Sequence, residues 1–167
     1  MSTTPGAAPD GHPVNRAAGW IAEGFGLGRL GPAPGTLASA AALAPAALML
    51  AYAPALLPWA VLAAALAGLW AIARLGLGAT DPGRVVIDEI AGQWLALLAL
   101  PGVSWQGLSA GFLLFRFLDI VKPGPVGWAD RQKTAAGVMA DDLAAGLLAA
   151  GVLWAVGVRW PGIWSAP

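Results

Sequence analysis

Apolar residues come in five runs, at 37–56, 58–73, 85–100, 108–121 and 143–158, and most of the charged residues lie outside them. Ala and Leu dominate each run and no alternation of period two is sustained, so the runs predict helices rather than strands. At about 1.5 Å per residue the first run is long enough to cross a bilayer, with Pro45 inside it and Pro54 near its far end. The other four fall short of the usual twenty or so residues and reach that length when a turn is added at either end. A soluble bundle of helices that are apolar all round is the competing reading. The membrane reading is favoured by the absence of any charge from Leu30 to Ala73, by 58% hydrophobic against 11% charged residues, and by a mean hydropathy of +0.70.

The expected fold is therefore all-α, a compact polytopic membrane bundle of four to five apolar helices plus a short N-terminal helix. That short helix is expected over residues 16–25, lying on the membrane with Trp20 and Ile21 at the headgroup boundary and Arg16 and Glu23 in water. Residues 1–15 combine Pro, Gly and small polar side chains and predict a disordered leader without the basic start and apolar centre of a signal peptide, leaving 16–167 as one membrane-embedded domain. Gly107 and Gly111 make a GxxxG spacing, which in so glycine-rich a chain is weak evidence of helix pairing.

Charge alternates along the connections. Arg16 and Arg29 precede the first run, Arg74 and Arg84 lie between the second and third, and Lys122, Arg131 and Lys133 lie between the fourth and fifth. The turns at 52–59 and 101–107 carry none, and Arg159 is the exception. The positive-inside rule then places the charged ends, and all the candidate chemistry, on the cytoplasmic side. Trp59, Trp105, Trp160 and Trp164 are expected at the outer interface and Trp20 and Trp128 at the inner one.

Composition removes several kinds of chemistry. There is no cysteine, and the one histidine, His12, lies in the leader. The body of the chain therefore builds no Ser/His/Asp triad, no thiolate or multi-histidine metal site and no histidine phospho-intermediate. Nine basic residues balance nine acidic ones, so no global field recruits nucleic acid.

What remains is local. The stretch FRFLDIVKPGPVGWADRQK, residues 115–133, gathers Arg116, Asp119, Lys122, Asp130, Arg131 and Lys133 at the end of one apolar run. Charges beside a spanning helix are kept mainly where they pair, bind or react. Arg116 and Asp119, three apart, share a helical face and could be a self-neutralising pair beside a snorkelling Lys122. Asp88 and Glu89 open the third run, where they could simply complement the helix dipole; Glu89 and Gln93 fall on one face. Asp141 and Asp142 precede the last run, and an N-cap would explain one of the two. Hard oxygens from three helix ends suit Mg²⁺, with Arg116, Lys122 and Arg131 as phosphate partners. The segment GFGLGRLGPAPGT satisfies GxGxxG without the preceding strand of a dinucleotide site. It reads either as a glycine loop closing on Pro34, Gly35 and Thr36, with Thr36 as cap and free N–H groups facing an anion, or as a flexible turn into the helix.

Taken in order over residues 19–158, GFGLGRLGPAPGT, IDEIAGQW, AGFLLFRFLDIVKPGPVGWADR and GVMADDLAAG resemble the phosphatidylglycerophosphatase A family of magnesium-dependent bacterial membrane lipid phosphatases. RFLDIVKPGP followed at this distance by ADD is the most specific part. The chain departs from the family pattern at Leu27, where a small polar residue is expected, and at Ala136, where a glycine is expected. The resemblance implies removal of the terminal phosphate of phosphatidylglycerophosphate to give phosphatidylglycerol, at the cytoplasmic face of the inner membrane. It implies Mg²⁺ held by Asp88, Glu89, Asp141 and Asp142, catalysis by Asp88, Glu89, Asp119 and Asp142, and substrate contacts from Arg116, Lys122, Asp130, Arg131, Gly35 and Thr36. Asp119 and Asp130 are further ligands or bases on that reading. Direct attack by water and a phospho-aspartate both stay open, although the DxDx(T/V) pattern is absent. The alternatives are a CDP-alcohol phosphatidyltransferase, whose DGxxAR core is missing here, and a small transporter or scaffold whose charges act as relays. Oligomeric state stays open.

Overall fold

The computed structural model describes residues 13–164, and every regular element among them is helical. Helix α1 (Pro13–Ala22) leads through a 3-10 stretch (Gly24–Arg29) to α2 (Pro34–Tyr52) and α3 (Leu56–Leu75). A short 3-10 turn (Leu77–Ala79) precedes α4 (Ile87–Leu97), followed by α5 (Trp105–Val121), α6 (Pro125–Asp130) and α7 (Ala135–Arg159). The leader expected over 1–15 lies outside the described residues as far as residue 12; residues 13–15 belong to the first turn of α1.

Helices α2, α3 and α7 are long and apolar enough to cross a membrane. The all-α membrane bundle stands, but its expected count of four to five such helices is corrected to three. α4 has 11 residues and α5 has 17, about 16 and 26 Å against a hydrocarbon core of roughly 30 Å. The run at 85–100 does not form one helix, for local reasons. Val86 stays outside α4 and its N–H donates to the Ala22 carbonyl at 2.9 Å, while the far end turns at Leu98 and Ala99 ahead of Pro101. The shortened α4 becomes a central post packed against α2, α3, α5 and α7, with Ile90, Ala91, Ala96 and Leu97 buried.

The ends of the helices follow from their residues. Pro34 starts α2, where a missing N–H costs nothing. The cap position is Ala33, so Thr36 lies inside the first turn and is not the cap the sequence suggested. Pro45 offers no N–H to the preceding turn; close by, the carbonyl of Ala42 accepts the indole N–H of Trp94 from α4 at 2.9 Å. Ser104 caps α5 by accepting from the Gly107 N–H at 3.1 Å, and Thr134 caps α7 by accepting from the Gly137 N–H at 3.0 Å. Because α7 begins at Ala135, Asp141 and Asp142 lie well inside it and neither is a cap. Thr134→Ala is expected to cost about 1 kcal/mol, read as a lower thermal midpoint, because α7 then starts with an unpartnered amide.

Leu48, Leu66, Leu113, Phe117 and Leu147 are exposed on the outer faces, as lipid-facing side chains should be. Trp20, Trp59, Trp105, Trp128 and Trp160 are exposed as well. Trp164 is buried, and its indole N–H donates to the Leu153 carbonyl at 3.0 Å, folding the chain back on α7. Gly107 and Gly111 serve packing within the chain, admitting Leu100 and Leu97 against α5. Glu23, expected in water, is buried, for reasons given below.

Candidate active site

The site begins with two glycines. A Cβ on Gly92 of α4 would stand 2.6 Å from the Asp142 backbone oxygen and 2.7 Å from the Phe115 ring, and one on Gly146 of α7 would collide with the Gly92 backbone oxygen. Only hydrogen fits at either position, so α4 and α7 cross backbone to backbone. This approach sets Asp142 beside the first turn of α4. Asp88, Glu89 and Asp142 each offer a carboxylate oxygen, and these oxygens all lie within 4.8 Å of one another. Asp88 and Asp142 are buried and Glu89 is half-buried.

The glycine loop closes the group from the other side. A Cβ on Gly35 would run into Glu89 Oε1 and would lie 3.5 Å from Arg116 Nη1. The first turn of α2 therefore rests against a protein carboxylate. Thr36, half-buried, follows it in that turn. Arg116 pairs with Asp119 at 2.6 Å along α5 and lies 4.0 Å from Glu89. Asp119 in turn lies beside Asp142.

Lys122 closes the outer edge. It ends α5 in the left-handed region (φ 51°, ψ 55°), and Pro123 and Pro125 then turn the chain into α6, where Gly127 packs on the Lys122 carbonyl. Its Nζ donates to Asp130 Oδ1 at 2.6 Å and to Asp141 Oδ2 at 2.7 Å. Burial works against the ammonium, but the two carboxylates outweigh it and hold Lys122 above the usual lysine range. The Lys122 hydrogen bond keeps Asp130 below the usual carboxylate range. Both partners are charged at neutral pH.

Asp141, expected with the metal ligands, pairs with Lys122, while its neighbour Asp142 lies with Asp88 and Glu89. Asp130 serves Lys122 and, at 3.7 Å, Lys133. Arg131 is exposed and makes no ion pair among the described residues. Two residues gain a place that the candidate set lacked. Gln93 is fully buried with neither end of its amide partnered; the signal was its spacing of four from Glu89. Asp81 precedes α4 at positive φ (39°). Although Asp81 is exposed, partial desolvation raises its carboxyl, with Lys122 and Lys133 pulling it down and Asp130 and Asp119 pushing it up. As a lone acid in a turn it gave no signal.

The donor set fits a divalent cation. Asp88 Oδ1 and Glu89 Oε2 are buried without a hydrogen-bond partner. Burial raises both carboxyls above the usual range, with the Asp88 charge adding to the rise at Glu89, a cost that a bound positive ion would relieve. All the ligand atoms are oxygens, the preference of hard ions.

The sequence profile of phosphatidylglycerophosphatase A matches residues 20–157, a span holding every side chain of this site. The chain belongs to the phosphatidylglycerophosphatase A family. Among its relatives in the family, phosphatidylglycerophosphatase A of Escherichia coli K12 is 38% identical over 144 residues, covering 84% of both chains. That of Haemophilus influenzae is 35% identical over 140 residues, covering 81% of this chain and 86% of its own. A Bacteroides thetaiotaomicron protein provisionally named phosphatidylinositol-3-phosphatase is 39% identical over 150 residues, covering 82% of this chain and 94% of its own. No solved structure matches the chain.

Proposed function

We propose that this membrane protein hydrolyses the terminal phosphomonoester of phosphatidylglycerophosphate, leaving phosphatidylglycerol, with Mg²⁺ as its cofactor. The carrying observation is the group of three buried or half-buried carboxylates, with Arg116 4.0 Å from Glu89 and Lys122 bound to Asp141 next to Asp142, in a chain of this family. Asp88, Glu89 and Asp142 hold the ion. A bound divalent cation supplies charge neutralisation and polarises the phosphoryl group. Lys122 has three N–H donors, of which Asp130 and Asp141 engage two, so one is left for a phosphate oxygen. Arg116, steered by Asp119, presents the remaining donors of a planar fork. Asp119, Asp130 and Asp141 are positioning residues on this reading. Gly35 lets Glu89 approach the first turn of α2, and on this reading Thr36 and the exposed Arg131 are further substrate contacts. The site lies at the helix ends that carry Arg74, Arg84, Lys122 and Lys133, which favours an inner-membrane protein opening to the cytoplasm.

The test is phosphate release by purified protein in detergent, with phosphatidylglycerophosphate, phosphatidic acid and phosphatidylinositol 3-phosphate offered separately. Release is expected to be fastest from phosphatidylglycerophosphate, to stop with EDTA and to return with Mg²⁺. Indifference to EDTA would remove the metal role, and a higher kcat/KM on phosphatidylinositol 3-phosphate would move the substrate assignment towards the Bacteroides relative's name. Lys122→Met is expected to lower kcat/KM by about a hundredfold, with the Mg²⁺ concentration for half-activation unchanged. A shift in that concentration instead would put Lys122 in the metal site.

A further inference from the structure

Beneath α1 lies a polar cavity of about 480 Å³ whose lining includes none of the residues of the carboxylate site. Arg16, Arg29 and Arg84 border it together with Glu23, Trp20 and Leu77. Glu23 is only 6% exposed. It accepts from Arg29 Nε at 2.6 Å and lies 3.5 Å from Arg84 Nε, so a buried carboxylate fixes two guanidinium groups whose side chains are otherwise mostly exposed. Three positive side chains face one negative one, a local excess in a chain whose net charge is zero.

The surroundings place this excess at a bilayer surface. Trp20, Phe25 and Leu30 are all more than half exposed, and Phe25 is held out by a left-handed backbone (φ 58°). The 3-10 stretch docks where Gly28 meets the Arg84 backbone, four residues before Asp88, so the cavity lies at the same end of α4 as the carboxylates. Guanidinium groups bind phosphate oxygens two at a time, and basic side chains at an anionic leaflet add attraction one by one. We propose that this cavity seats the phosphate of an anionic phospholipid headgroup, apart from the catalytic site, with Trp20 and Phe25 in the adjoining acyl boundary. A free phosphate ion would use the same arginines but has no use for the exposed aromatic rim.

The test uses full-length protein in neutral detergent, titrated with phosphatidylglycerol, phosphatidylethanolamine or inorganic phosphate, with retained lipid counted by native mass spectrometry. Arg16→Gln leaves both Glu23 contacts in place and is expected to weaken phosphatidylglycerol retention about fivefold. Arg16→Glu should weaken it further, and Arg16→Lys should restore it. Phosphatidylglycerophosphate hydrolysis in zwitterionic micelles should keep its kcat and KM in all three. Equal retention of the two lipids by the wild type, unchanged retention in Arg16→Glu, or displacement of phosphatidylglycerol by equimolar inorganic phosphate would overturn the proposal. So would a raised KM accompanying lost retention, which would make the cavity part of the substrate site. Because the lipid count does not depend on turnover, failure of the phosphatase reading would leave it interpretable.

Discussion

Asp142→Asn is expected to abolish phosphate release, by about a thousandfold or more in kcat/KM, and at the same time to raise the melting temperature of the protein in EDTA. The two effects share one cause. Asp88, Glu89 and Asp142 crowd their oxygens within 4.8 Å, and Asp88 and Asp142 are almost fully shielded from water. Without a cation that crowding opposes folding; with one it becomes the binding site. Neutralising one member relieves repulsion by about 1–2 kcal/mol and removes an ionic ligand. The wild type should therefore gain stability on addition of Mg²⁺, while Asp142→Asn should start higher in EDTA and respond little. Tryptophan fluorescence melting with and without Mg²⁺ reads both. A variant that melts lower than wild type in EDTA and still responds fully to Mg²⁺ would show that Asp142 is structural and that the ion sits elsewhere.

Asp141 should behave differently, although it is the adjacent residue. Successive positions on a helix point about 100° apart, so α7 turns Asp142 towards α4 and Asp141 towards Lys122. The pair was conspicuous in the sequence because charge is scarce in so apolar a chain. Which member does what depends on the rotation of α7, and that is set by a start at Thr134 which no apolar run marks. The same limit applies to α4. Its carboxylates stood out, but its shortness did not, since Val85, Val86 and Leu100 are as apolar as a helix interior and leave it only because of the Ala22 carbonyl and Pro101. Glu23 shows the limit most plainly: its partner Arg84 lies on another part of the chain, and no local pattern announces a pair so far apart. The cation-rich stretch at 115–133 was legible because Arg116, Asp119 and Lys122 share a helical side and Pro123 ends the helix where they cluster.

Gly92→Ala is the second substitution expected to have a large effect, and it touches no functional group. A methyl there meets the Asp142 backbone oxygen at 2.6 Å and the Phe115 ring at 2.7 Å. Neither is the free end of a flexible chain, so α4 and α7 must separate by several tenths of an ångström or more. Overpacking of this kind costs about 1–3 kcal/mol. The larger consequence is catalytic, because the crossing sets the distance between Asp142 and the pair on α4, and a misplacement of about 1 Å can cost a hundredfold in rate. Gly146→Ala should act in the same direction, as its methyl meets the Gly92 backbone oxygen. Gly151→Ala, on the same helix with nothing within 4 Å of its added carbon, should keep full activity and gain slightly in stability, since alanine is the better helix former by about 1 kcal/mol. The measurement is kcat/KM with the Mg²⁺ requirement and melting temperature for all three variants. If Gly92→Ala kept wild-type turnover while Gly151→Ala lost it, the close crossing of α4 and α7 would not be what assembles the carboxylates. If Gly92→Ala lost activity and its Mg²⁺ requirement rose, the helix spacing would be tied directly to the hold on the ion.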